Sequence, residues 1–248
     1  MRAVKTLLIG LMATLVLATG SPALAKSPVV VELFTSQGCA SCLEANSLIQ
    51  DLSDQPDVVG LTFAVDYWDY LGWSDSLAKP SFTERQKAYM RRLGAGQVYT
   101  PQVVVGGAAQ TAGTKRDKID RLIASAKRRP RVSPRLNLVK ARHLSVGLAP
   151  APKGGADVWL VSYAPEPQPT EVKRGENRGK TVTYGHAVRD IARLGSWRGK
   201  TKTFALPKTQ EDGLERLVLV QGKSGGRILA ALKLMPSAPA KPGAAKNP

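Results

Sequence analysis

The chain has 248 residues, enough for one large domain or two of ordinary size. Its 43% apolar and 22% charged content excludes wholesale disorder, a collagen-like repeat and a multi-span membrane protein. Lys and Arg number 36 against 19 Asp and Glu, a formal charge of +17 that bears on partners and solubility rather than on fold.

Residues 1–25 read as a signal peptide. Arg2 and Lys5 make a basic start, Leu7 to Ala18 is almost wholly apolar, and Ala23-Leu24-Ala25 supplies the small-x-small pattern of a cleavage site. A retained membrane anchor is the competing reading, but the apolar stretch falls short of the roughly 20 residues a spanning helix needs. The expectation is a periplasmic or secreted protein whose mature chain begins near Lys26.

From residue 26 to 130, strand and helix signals alternate. Val29 to Phe34 and Val58 to Val65 are short β-branched runs suited to strands covered on both faces. Leu43, Leu48, Ile49 and Leu52 recur at helical spacing, and Phe82 to Leu93 carries charges around a narrow apolar stripe, with Ser81 as the expected cap. Gln102 to Val105 predicts a third strand that ends in the hairpin signal Gly106-Gly107, and Ile119, Leu122 and Ile123 mark a closing helix. The order is βαβαββα.

Cys39-Ala40-Ser41-Cys42 lies between the first strand and the first helix, and these are the chain's 2 cysteines. At a helix start the first sulfur meets unpaired N–H groups and the helix dipole, which favour thiolate, while the second lies one turn on. Cys39 is therefore expected to be the more exposed and more acidic thiol. The spacing alone suits redox exchange, a structural disulfide or half of a zinc site. A second pair of metal ligands is missing nearby, because His143 and His186 fall in the other half, so neither a metal nor a cofactor is expected.

The aromatic run Tyr67-Trp68-Asp69-Tyr70-Leu71-Gly72-Trp73 follows the second strand, at the sheet end where ligands of α/β folds collect. Tyr67, Trp68, Tyr70 and Trp73 either line a substrate cleft beside the sulfurs or form a packed loop.

Tyr99-Thr100-Pro101, leading into the third strand, resembles the threonine and cis-proline segment that faces the CxxC helix in thioredoxin-like proteins. That resemblance implies that Thr100 and Pro101 present a substrate backbone to the sulfurs; the alternative is a trans proline at a strand start. Glu32 lies seven residues before Cys39, where thioredoxins carry a buried acid six residues before theirs. It is either a proton relay to Cys42 or a solvent-facing strand residue.

A narrower resemblance rests on Glu32-Leu33-Phe34-Thr35-Ser36-Gln37-Gly38-Cys39, Val65-Asp66-Tyr67-Trp68-Asp69-Tyr70-Leu71-Gly72-Trp73, Arg85-Gln86 and Val98-Tyr99-Thr100-Pro101-Gln102. In the second half it adds Arg174-Gly175-Glu176-Asn177-Arg178-Gly179, Tyr184, Val188-Arg189 and Leu194-Gly195-Ser196-Trp197. These segments are similar to the secreted family catalogued as domain of unknown function 1223. The resemblance implies an α/β thioredoxin-like domain followed by a smaller antiparallel β-sandwich-like domain. Members commonly have Pro just after the second Cys; here Leu43 stands there, so the pre-set φ at the helix start is lost.

The expected boundaries are a thioredoxin-like domain at 26–130, a basic β-rich domain at 131–235 and a disordered tail at 236–248. The seam is Lys127-Arg128-Arg129-Pro130-Arg131-Val132-Ser133-Pro134, where two prolines and a charge run end a helix. Beyond it, Leu136 to Leu148, Val158 to Tyr163, Val172 to Lys173, Thr181 to Ile191, Lys202 to Leu206, Leu217 to Gln221 and Ile228 to Leu234 alternate as strands. Gly175 to Gly179 reads as a hairpin turn or a polar contact site.

Charge is uneven, with 13 basic and 11 acidic residues from Lys26 to Pro130 but 21 and 8 from Arg131 to Pro248. Secretion and the lack of aromatic stacking positions argue against nucleic acid, leaving anionic envelope polymers, lipid headgroups or simple solvation. Two functions stand open. One is a thiol-disulfide oxidoreductase acting on a thiol- or disulfide-bearing protein, with Cys39 attacking and Cys42 resolving. The other is a non-catalytic envelope binding protein with a structural disulfide and a ligand-holding aromatic loop.

Overall fold

The computed structural model describes residues 27–129, 132–140, 142–208 and 211–234. The expected signal peptide and tail lie outside the described residues, as do Pro130 and Arg131 of the expected seam.

Strand β1 (Val29–Thr35) pairs in parallel with β2 (Val58–Ala64) and antiparallel with β3 (Gln102–Val105), which pairs in turn with β4 (Ala109–Ala112). The parallel pair requires a crossover, supplied by α1 (Leu43–Ser53). Helices α2 (Pro80–Leu93) and α3 (Arg116–Arg128) complete the order β1 α1 β2 α2 β3 β4 α3. Every residue of β1 is buried because both sheet faces are covered. Val29, Val31 and Leu33 pack on Leu48, Ile49 and Leu52 of α1 and on Ile119 and Ile123 of α3, whereas Val30 and Phe34 face the other way. Helix α2 starts at Pro80 with Lys79 as its N-cap, so Ser81 is not the cap; proline's fixed φ and missing N–H suit the first helical position.

In the second half, β10 (Val188–Trp197), β7 (Ala156–Tyr163), β12 (Glu215–Gly222) and β13 (Ile228–Leu234) form one antiparallel sheet in that order. A second sheet has β11 (Lys202–Ala205), β6 (His143–Val146) and β5 (Leu136–Lys140), and β8 (Gln168–Glu171) pairs with β9 (Thr181–Tyr184). Leu144, Val146 and Phe204 of the three-stranded sheet pack on Val158, Leu160, Val218 and Val220 of the four-stranded one.

Three expected strands are redrawn. The run 136–148 is a hairpin, reversing between Lys140 and His143. The run 181–191 breaks at Gly185–Ala187, where His186 takes a positive φ of 46° and its carbonyl accepts the Thr62 amide at 3.0 Å. Val172 follows β8 rather than starting a strand, and its side chain plugs a cluster with Tyr184, Val182 and Ala187.

The two halves share a core. Val30, Phe34, Leu61, Phe63 and Phe82 form one cluster with Val161, Tyr163, Leu217 and Leu219, so alternate residues of β7 and β12 serve the two faces of their sheet. The Ile228 amide donates to the Gly106 carbonyl at 2.9 Å. Gly107 has φ 60°, and a Cβ there would lie 2.5 Å from the Gly226 carbonyl oxygen, so a side chain would force the halves apart at this point.

Candidate functional site

The loop Ser36–Cys39 leaves the end of β1 and feeds a 3-10 turn, Ala40–Cys42, that runs directly into α1. Cys39 is the N-cap of that turn, with extended backbone and no side-chain capping bond, and Cys39 and Cys42 are joined by a disulfide with Cα atoms 5.4 Å apart. The Ser41 hydroxyl lies 3.5 Å from the Cys39 sulfur. Ala40 and Ser41 are exposed, but Cys39 is only 1% exposed and Cys42 fully buried. The expected exposure of Cys39 is therefore corrected, and the reason is a cover from the second half of the chain.

That cover is the segment between β8 and β9. Asn177 is fully buried, and its Nδ2 donates to the carbonyls of Gln37 at 2.9 Å and Cys39 at 3.0 Å. The Ala40 amide donates to Oε2 of Glu176 at 3.3 Å. Gly175, at φ 77°, passes over Trp73 and the Leu71 carbonyl.

A buried acid holds the loop from below. The Gln37 amide donates to Asp75 Oδ2 at 2.9 Å, the Tyr184 hydroxyl to the same oxygen at 2.6 Å, and the Leu77 amide to Oδ1 at 3.0 Å. Burial lifts the Asp75 carboxyl above its ordinary value, although these donors pull it back. Burial also holds the Tyr184 phenol well above the usual tyrosine range.

A pH dependence follows. Because Asp75 keeps its proton more tightly in the folded chain than at the ordinary 3.8, its contribution to stability is full at acid pH and is lost as pH rises from that value to the raised one. Urea unfolding of the parent and of Asp75→Asn should therefore show a stability difference that declines through this window and is level above it. A difference that grows with pH would contradict the assignment.

The aromatic residues divide. The Trp68 indole donates to the Thr100 hydroxyl at 2.8 Å, and its Cβ lies 3.6 Å from where a Cβ on Gly38 would be. The Trp73 indole donates to Gln37 Oε1 at 3.0 Å. Tyr67 packs against the shared core, and burial raises its phenol to about 12. Tyr70 is 80% exposed. Trp68 and Trp73 therefore brace the cysteine loop, and the four rings do not form one cleft wall.

The Thr100–Pro101 peptide bond is cis, and Pro101 is buried. A Cβ on Gly113 would lie 2.9 Å from both Ala45 Cβ of α1 and Pro101 Cβ, so Pro101 lies beside the first turn of that helix. A surface cavity of about 640 Å³ opens beside Tyr99 and the start of α3, and none of Cys39, Cys42, Thr100 and Pro101 lines it.

Glu32 is fully buried, which overturns the solvent-facing reading, and it does not serve Cys42 either. It shares a face of β1 with Val30 and Phe34, opposite the face on which α1 packs. Its carboxylate instead accepts Arg85 Nε at 2.8 Å and the Tyr89 hydroxyl. His143 is exposed, and His186 Nδ1 lies 3.0 Å from the Gly60 carbonyl oxygen. Among the described residues there is no cluster of three His, Cys, Asp or Glu side chains able to hold a metal, and no helix is long and apolar enough to cross a membrane.

Asp75 and Tyr184 had no local signature of a role beneath the cysteines, whereas Glu176 and Asn177 lay in a glycine-flanked motif whose contact with residues 37–40 depends on the fold.

The chain is similar to known proteins. Residues 30–221 match a family described as protein of unknown function (DUF1223). A crystal structure of a protein from Agrobacterium tumefaciens is similar at 34% identity and a TM-score of 0.69, over 86% of this chain and 96% of that one. HBP35 of Porphyromonas gingivalis is similar in fold, at 16% identity and a TM-score of 0.51 over 88% of this chain and 80% of that one. No curated protein matches the chain.

Proposed function

The chain belongs to the DUF1223 family, and from that premise we propose that it is a periplasmic or secreted thiol-disulfide oxidoreductase whose first half is thioredoxin-like. The observation that carries the reading is the Cys39–Cys42 disulfide at the start of the helical run 40–53, with Pro101 beside that helix's first turn. Helix-start N–H groups favour a thiolate on Cys39 once the pair is reduced, which makes it the attacking sulfur. Cys42, one turn on, resolves the mixed disulfide. Pro101 has no N–H, and with Thr100 it offers a backbone edge to the substrate.

A second reading has support of its own. Cys39 is almost wholly buried and Asn177 donates to its carbonyl, as suits a fixed disulfide in a binding protein. The basic excess after residue 131 suits anionic envelope polymers or lipid headgroups under that reading.

The insulin reduction assay separates the two. With a dithiol as electron donor, the parent should accelerate insulin precipitation and Cys39→Ser should fall to the uncatalysed rate. Equal rates for parent and variant would end the enzyme reading in favour of the fixed disulfide.

A further inference from the structure

We propose that residues 174–179 form a redox-linked cover over Cys39, closed while the disulfide is intact and released when the pair is reduced, with Glu176 as the residue that senses the change. The inference rests on the exchange reading in one respect, that the pair passes between disulfide and dithiol.

The closed state is built from both sides. Asn177 is fully buried and straddles the loop by donating to the carbonyls of Gln37 and Cys39. The neighbouring Glu176 carboxylate accepts the Ala40 amide, the first N–H after Cys39. Cys39 is the N-cap of that turn yet makes no side-chain capping bond. With both sulfurs in a neutral disulfide, the Ala40 amide donates to the carboxylate without a competing anion, while the Cys42 amide is taken by the Cys39 carbonyl at 3.2 Å.

Reduction alters this balance. A dithiol's thiolate attacks Cys39 Sγ, the S–S bond breaks with its electron pair on Cys42 Sγ, and that sulfur takes a proton from water. The dithiol's second sulfur, having lost its proton to water, then attacks the mixed disulfide. It leaves the electron pair on Cys39, and the reductant departs as a disulfide, two electrons having passed to the protein. The new Cys39 thiolate draws on the helix start whose Ala40 amide Glu176 uses. Two like charges then compete for one set of donors, and the carboxylate withdraws. Asn177 is adjacent in the chain, so its two bonds loosen with Glu176. By linkage, a cover that opens on reduction favours the disulfide when closed, by the same factor.

Glu176 and Asn177 are thus positioning residues rather than catalytic ones. They hold the segment closed over the oxidised pair and uncover Cys39 once it carries charge.

The cover contains its own reporter, because Arg174 and Arg178 are exposed trypsin sites within it and Lys153, in an exposed turn, serves as an internal reference. Cleavage after Arg174 and Arg178, relative to Lys153, should be about tenfold faster in the dithiol-reduced protein than in the oxidised one, a modest like-charge effect near a surface. Cys42→Ser, which keeps a thiolate on Cys39, should match the reduced protein. Cys39→Ser combined with Cys42→Ser should match the oxidised one, and Glu176→Gln should remove the acceleration.

Equal cleavage in oxidised and reduced protein would overturn the proposal. So would a doubly substituted protein cut as fast as the reduced parent, because loss of the crosslink would then be the cause rather than charge. A cover that responds to reduction in a protein without reductase activity would leave this inference standing and remove the exchange reading.

Discussion

Arg85→Met is expected to destabilise the protein by about 3–5 kcal/mol, the cost of leaving a buried charge without its partner. Glu32 lies in the middle strand region of the core shared by both halves, its side chain 0% exposed against 8% for Arg85. The guanidinium donates through Nε to Glu32 at 2.8 Å and through Nη2 to the Tyr89 hydroxyl at 3.0 Å. It also lies over the rings of Phe63, Tyr89 and Trp159 at 5.6, 5.2 and 6.0 Å. A planar cation suits that stack, which a lysine ammonium would not fill. Gln221 of β12 then donates to Tyr89 at 2.9 Å and to the Gly226 carbonyl at 2.8 Å, so the network crosses between the halves.

Removing Arg85 alone strands the Glu32 carboxylate among aromatic side chains. A midpoint lower by roughly 10 °C follows for a chain of this size. Replacing Glu32 with Met in the same protein should recover most of the loss, because a well-packed apolar pair often equals a buried ion pair. Urea unfolding of both variants checks this. An Arg85→Met protein within about 1 kcal/mol of the parent would show that the pair is hydrated or otherwise compensated.

What the chain disclosed depended on how local each feature was. The disulfide at a helix start follows from four consecutive residues and the helical spacing of Leu48, Ile49 and Leu52, and it was legible. The parity of β1 was also legible in principle: Glu32 falls with Val30 and Phe34, and the helix-facing residues are Val29, Val31 and Leu33. Its partner was not, since Arg85 lies 53 residues on, in a helix whose charges surround a narrow apolar stripe. The cover was least legible. Asn177 reaches Cys39 across 138 residues, and the packing of β9 against α1 brings them together. The aromatic loop stayed open between cleft and packed loop for a related reason. Trp68 and Trp73 spend their indole N–H groups on Thr100 and Gln37, a use that composition does not reveal.

The second large effect concerns Cys42→Ser. If Cys39 attacks and Cys42 resolves, removing the resolving sulfur should turn a transient mixed disulfide into a lasting one. The parent, mixed with a disulfide-bearing protein, would hold little adduct, because Cys42 lies one turn away in the same helical run and displaces the partner. Cys42→Ser lacks that exit. The covering segment must also yield for any partner to reach Cys39, so trapping tests access and chemistry together.

The most direct measurement is non-denaturing incubation of Cys42→Ser with oxidised insulin, followed by non-reducing mass analysis after alkylation of free thiols. The expected result is a covalent adduct through Cys39 as the main species, dissolved by a dithiol, and absent when Cys39 is also replaced by Ser. A Cys42→Ser protein that is recovered wholly unadducted, with Cys39 still a free thiol, would contradict the exchange chemistry and leave the pair a structural disulfide.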